Sequence, residues 1–148
     1  MTDDIERKVE GATEAPMFFR GTYDEAFDLL VEARNYVRND VAAFKYADNP
    51  PDPVTMTQET LRLTSRLTQV MAWLMAQRAV QEGEIGEEEF VKDKYRLEGQ
   101  QVCLKRAIDE MAEEELPEGL NDLMDRSYSL YSRIMRLDEK YIEEKKEN

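Results

Sequence analysis

Apolar residues recur along this chain at steps of three and four, the spacing of a buried helical stripe, in three long segments. In the first, Tyr23, Phe27, Leu30, Ala33, Val37, Val41 and Phe44 predict a helix over about residues 22–46. Thr22 and Glu25 have the spacing of a capping box, and Asn49, Pro50 and Pro51 end the pattern. The second segment is expected over about 52–82, with Asp52 as N-cap and Pro53 in the first turn, where a missing N–H costs nothing. Thr55 and Gln58 offer an alternative capping box. Leu63, Leu67, Val70 and Leu74 trace its main seam, and Thr64, Thr68, Met71 and Met75 trace a second one beside it. From Val70 to Ala76 (VMAWLMA) this helix is apolar on every side, so it must be covered from several directions, with a surplus face left for a second molecule. The third segment, about 117–143, opens on Pro117 and carries Leu120, Leu123, Ser127, Leu130, Ile134, Leu137 and Tyr141 in an unbroken 3-4-3-4 rhythm.

Between the second and third segments the pattern weakens. Gly83 and Gly86 punctuate it, Glu87 to about Leu97 reads as a short third helix, and 100–114 reads as helix or as loop with a helical turn. No β-branched alternation and no Asn-Gly hairpin signal is present. The expected fold is therefore all-α: a three-helix bundle, antiparallel or nearly so, with short extra helical elements between the second and last long helices. Residues 1–16, poor in apolar residues and containing Gly11 and Pro16, are expected to form a disordered acidic arm. Residues 17–143 form the single helical-bundle domain, and 144–148 a short charged tail. Three helices share a small core, so a dimer would help to cover leftover apolar area.

Charge changes the picture next. Of 148 residues 36% are charged, and the formal net charge is −13, which repels nucleic-acid phosphates and anionic membranes and favours basic protein surfaces. The longest apolar run is about a third of the ~20 residues needed to span a bilayer, and Arg66 and Arg78 flank it. The acidic, polar first residues do not form a signal peptide, and one cysteine without a CxxC pattern fits a reducing, cytoplasmic setting. The chain contains no histidine. That removes the commonest general base and metal ligand, along with histidine zinc sites and the Glu-x-x-His pairs of di-iron bundles. No metal, cofactor or catalytic residue is expected.

Candidate chemistry is correspondingly thin. Glu84, Glu87, Glu88 and Glu89 read as a solvated helix start favoured by the dipole rather than a cation site. The acidic run Glu110, Glu113, Glu114 and Glu115 reads the same way. Cys103, beside Val102 and Leu104, reads as a small buried hydrophobe. Tyr128, Tyr131 and Tyr141, with Arg126, Arg133 and Arg136, make a faint case for stacking on bases. Arginines balanced by Asp122, Asp125, Asp138 and Glu139 are more simply a surface of ion pairs. Trp73 falls off the main seam by roughly a third of a turn and reads either as core or as an interface anchor. Met71 and Met75 flank it, and flexible methionines suit both core filling and an adaptable contact surface. Met71, Trp73 and Met75 are therefore the candidate dimer or partner interface.

The run TLRLTSRLTQVMAWLMAQRAVQEGEI, then KYRL and VCL, then the Leu-Pro start and SYSLYSRIMRLDE of the last helix, resemble the RcdA family, regulators of CtrA degradation. YDEAFDLLVEARNYV in the first helix also fits, so the resemblance covers most of residues 18–104 and 116–139. It implies a helical-bundle homodimer of alphaproteobacteria without catalytic activity. Its role would be that of an adaptor bringing substrate proteins to the ClpXP protease, through ClpX, alongside other cell-cycle regulators. Other readings are a DNA-associated transcriptional regulator using Arg126, Arg133 and Arg136, a helical scaffold protein, and, last, an enzyme using paired carboxylates.

Overall fold

The structure is a computed structural model and describes residues 20–104 and 116–147. It is an all-α three-helix bundle, and the described residues contain no strand. Helix α1 covers residues 20–36 and continues through a π-helical turn, Val37–Val41, to a 3₁₀ turn, Phe44–Tyr46. Helix α2 is Pro53–Gln81, and two one-turn helices follow: α3, Glu87–Phe90, and α4, Gln100–Cys103. Helix α5 is Glu118–Glu147. Residues 1–16, expected as an arm, and 105–115 lie outside the described residues. Residues 144–147, expected as a tail, are the last turn of α5.

Local signals explain the start of α2. The Asp52 carboxylate accepts from the Thr55 backbone N–H at 3.1 Å and from its hydroxyl at 2.8 Å, so Asp52, not Thr55, is the cap. Thr22 is not a cap, because α1 is already helical at residue 20, and Glu25 pairs with Arg133 instead. The buried stripe of α1 is Ala26, Leu29 and Ala33, while Phe27 is 48% exposed. Leu63, Leu67, Val70 and Leu74 of α2 are buried as their spacing predicts, as are Leu120, Leu123, Ser127, Leu130 and Ile134 of α5. The second seam of α2 fails: Thr64, Thr68 and Met75 face solvent, and Met71 alone is buried.

Side-chain pairs set the helix directions. Tyr36 meets Gly119, Glu32 pairs with Arg126, and Glu25 pairs with Arg133, so α1 and α5 are antiparallel. The Arg78 guanidinium lies 5.7 Å from the Tyr23 ring centre, which makes α1 and α2 antiparallel as well. It follows that α2 and α5 are parallel, as shown by Arg66 at Met124 and Ser127 and Trp73 at Asp138. This corrects the expectation of an all-antiparallel arrangement. Two parallel neighbours need a return path, and residues 82–104 supply it. Phe90 sits between Trp73 and Tyr141, Leu97 lies at Asp138, Glu98 at Gln69 and Tyr131, and Cys103 at Arg66. The chain thus runs back along the seam between α2 and α5.

The return path also explains why the expected helix over 87–97 is one turn long. An extended residue advances about 3.3 Å and a helical one 1.5 Å, so a short segment that must retrace a helix cannot itself be helical throughout. Lys92 and Arg96 are extended, flanking a single 3₁₀ turn at Asp93–Tyr95, and only Phe90 and Leu97 are fully buried. Gly99 then adopts φ +74°, a left-handed conformation that favours glycine, and starts α4.

Candidate protein-interaction site

The structure separates the three residues of the candidate interface. Trp73 is 3% exposed and Met71 9%, while Met75 is 58% exposed. Trp73 packs edge-on against Phe90 at 5.9 Å, and its Nε1 donates to Asp138 Oδ1 at 2.8 Å. Of the three, only Met75 is presented at the surface of one chain. Of the apolar girdle at Val70–Ala76, Val70, Met71, Trp73 and Leu74 are buried, with Trp73 covered by Phe90 of the return segment and by α5 at Asp138, while Ala72 and Met75 stay exposed.

Met75 belongs to a different stripe. Val54, Leu61, Thr68 and Met75 stand seven residues apart along α2, all exposed, with Thr57, Thr64 and Ala72 exposed between them. From Val54 to Gln77 the helix carries only Glu59, Arg62 and Arg66 as charged residues, and all three are buried. The solvent side of six turns is therefore free of charge, in a chain of which 36% is charged. Seven-residue spacing keeps such a stripe facing a partner helix as the two wind around each other.

The buried charges are structural, and the apolar periodicity did not reveal them. Arg66 is 1% exposed; its Nε donates to the Cys103 carbonyl at 2.6 Å, and its Nη1 to the Met124 carbonyl and Ser127 Oγ at 3.0 and 3.2 Å. Burial, reinforced by the neighbouring Arg62, pulls its pKa down to about 10, and it stays charged at neutral pH. Arg66 thus ties α4 and α5 to α2. The signal available in sequence was the spacing of Glu59, Arg62 and Arg66, which places them beside Leu63 and Leu67 on the inner face.

Most of the other candidates make contacts within the chain, while Glu84, Glu88 and Arg136 are exposed. Cys103 is buried, and desolvation raises its thiol pKa, the opposite of what a reactive thiol needs. Glu89 pairs with Lys92 and Lys94 at 2.7 and 2.8 Å, and Glu87 pairs with Lys145 at 2.5 Å. Among the described residues, no group of three or more acidic or cysteine side chains could hold a metal ion. The Tyr131 hydroxyl donates to the Glu98 carbonyl at 2.8 Å, Tyr141 packs on Phe90 at 5.0 Å, and Tyr128 lies against Arg66 at 5.3 Å. Arg126 is held by Glu32 and Asp122, and Arg133 by Glu25. Among the described residues, no helix is long and apolar enough to cross a membrane.

Over residues 12–148 the chain matches the family described as "Protein of unknown function (DUF1465)". Its structure is similar to the crystal structure of RcdA from Caulobacter crescentus CB15, with a TM-score of 0.64 and 31% sequence identity, over 83% of this chain and 89% of that one. No curated protein matches the chain.

Proposed function

Because the chain belongs to the DUF1465 family and is RcdA-like, we propose that it is a non-enzymatic, dimeric adaptor that recruits substrate proteins to the ClpXP protease in cell-cycle-regulated proteolysis in the cytoplasm. Tethering is the mechanism: a substrate held beside the protease acquires a high effective concentration without new chemistry. The observation that carries the reading is the charge-free outer face of α2. Two copies that each carry a net charge of −13 repel one another wherever charged surfaces meet. The stripe of Val54, Leu61, Thr68 and Met75 is where that repulsion is least and where apolar area is gained. It is the dimer surface in this reading, and Met71 and Trp73 support it from beneath.

The net charge of −13, together with the double pairing of Arg126 by Glu32 and Asp122, weighs against a DNA-reading stripe on α5. The test is degradation of candidate substrates by purified ClpX and ClpP, with and without this chain and the accompanying cell-cycle regulators. Faster substrate loss only when the chain is present is the expected outcome. Unchanged substrate half-lives across the candidates reject the adaptor role.

A further inference from the structure

We propose that the groove between the start of α1 and the C-terminal half of α5 binds an acidic protein segment that carries an apolar side chain. The cavity is about 310 Å³ and, among the described residues, is lined by Thr22, Arg133, Ile134, Arg136, Leu137 and Lys140. Its base is apolar, with Ile134 fully buried and Leu137 partly so. Three cations surround that base in a chain with 33 acidic and 20 basic residues. Arg136 and Lys140, one turn apart on α5, have no acidic partner among the described residues. Arg133 is shared with Glu25 through an exposed pair at 2.5 Å, and exposed pairs of this kind contribute little and exchange readily with an incoming carboxylate.

An apolar base ringed by cations matches the acidic-motif mode of peptide recognition, in which arginine forks hold carboxylates and a pocket takes a neighbouring side chain. A nucleic acid fits less well. Its regularly spaced phosphates must pass Glu25 and meet the field of a −13 protein, and they leave the apolar base unused. An acidic segment needs only one or two carboxylates, placed at Arg136 and Lys140. The inference goes beyond the adaptor reading: no described lining residue belongs to α2, so binding here requires neither the dimer nor the protease.

The test is fluorescence anisotropy of the full chain with a labelled decapeptide, acetylated and amidated, that places leucine between aspartate and glutamate residues. Saturable binding that weakens with salt is expected. The double variant R136E/K140E should weaken it about tenfold or more, as for two lost charge contacts, while R136K/K140R keeps it. Glu25→Gln, by releasing Arg133, should tighten it, and Leu61→Glu on α2 should leave it unchanged. Should the double charge reversal fail to fold by circular dichroism, Arg136→Gln and Lys140→Gln decide singly, each expected to cost about threefold. The proposal is overturned by no saturable binding at millimolar peptide, by equal affinity in the charge-reversed variants, or by tighter binding of an oligothymidylate of equal charge.

Discussion

Trp73 Nε1 lies 2.8 Å from Asp138 Oδ1, and this hydrogen bond couples the C-terminal half of α2 to the C-terminal half of α5. Asp138 is a hub. Its Oδ2 also accepts from the Leu97 backbone N–H at 3.3 Å, and Arg96 Nη1 lies 2.7 Å from Oδ1 as an ion pair without hydrogen-bond alignment. Two long helices and the return segment therefore converge on one carboxylate.

Asp138→Ala should be severely destabilising. It strands the Trp73 and Leu97 N–H groups and leaves Arg96 without its counter-charge, at a cost of about 3 kcal/mol or more. Trp73→Phe removes one donor and some area and should cost about 1–3 kcal/mol. Urea unfolding followed by far-UV circular dichroism measures both. A loss below about 0.5 kcal/mol for Asp138→Ala would show that the hub is not structural.

Trp73 also gives an optical check. It is the single tryptophan of the chain and is buried within it, so its emission and acrylamide quenching should not change as concentration is raised through formation of the proposed dimer. A blue shift on association would place the ring at the interface.

On the outer face of α2, Leu61→Glu and Met75→Glu should change monomer stability by no more than about 0.5 kcal/mol, because both side chains are already exposed. Each introduces a carboxylate that, in a symmetric dimer, faces its own copy. Multi-angle light scattering should report a shift from dimer to monomer. Persistence of the wild-type mass in both variants would move the dimer surface off this stripe.

Gly119→Ala tests the approach of α1 to α5. An added Cβ would lie 2.6 Å from Tyr36 Cε2, closer than packed atoms come. Alanine is otherwise the better helix former by about 1 kcal/mol, so the sign of the change reports the contact. Net destabilisation of about 1 kcal/mol is expected, becoming neutral or stabilising in a Tyr36→Leu background. Thermal unfolding of the four members of this cycle measures it.

Hydrogen bonds from Lys92 and then Lys94 hold the Glu89 carboxyl down to about 2, from an ordinary 4.5. A carboxyl with a depressed folded pKa adds stability above its unfolded value, and that stability is lost as pH falls from 4.5 through about 2. Glu89 is half-buried at the surface and its partners are exposed, so the effect on global stability is small and is better read by carboxyl NMR titration. Its midpoint should rise toward 4.5 in a Lys92→Ala, Lys94→Ala double variant.

Much of the fold was legible because a regular stripe reports its own inner face. The spacing of Leu63, Leu67, Val70 and Leu74, and of Leu120 through Ile134, identified buried sides without knowledge of what covers them. The same limitation hid Trp73. Its spacing sets it off the main seam, but offset alone does not say whether solvent, a partner or the chain itself occupies that side. Phe90 and the return segment occupy it, and their weak helical pattern gave no hint of a path along α2. In the sequence Arg66 only flanks the apolar run. An arginine whose guanidinium satisfies two carbonyls and a hydroxyl is buried without a hydrophobic signature, so periodicity is blind to it. Of Met71, Trp73 and Met75, the spacing alone could not tell which reaches the surface; Met75 does. The rest of the stripe, Val54, Leu61 and Thr68, is recognised by where charge is missing rather than by where grease is concentrated.

The parallel pairing of α2 with α5 makes the inner seam of α2 depend on residues far along the chain. Helices α1 and α2 are neighbours in sequence and can meet as soon as both have left the ribosome. The inner seam of α2 is completed only by partners 58 to 65 positions downstream, as in Arg66 with Met124 and Trp73 with Asp138. Until α5 emerges, a nascent chain holds Leu63, Leu67, Val70 and Leu74 incompletely covered. Closure over such long loops costs more chain entropy than a contact between neighbouring helices joined by a short turn.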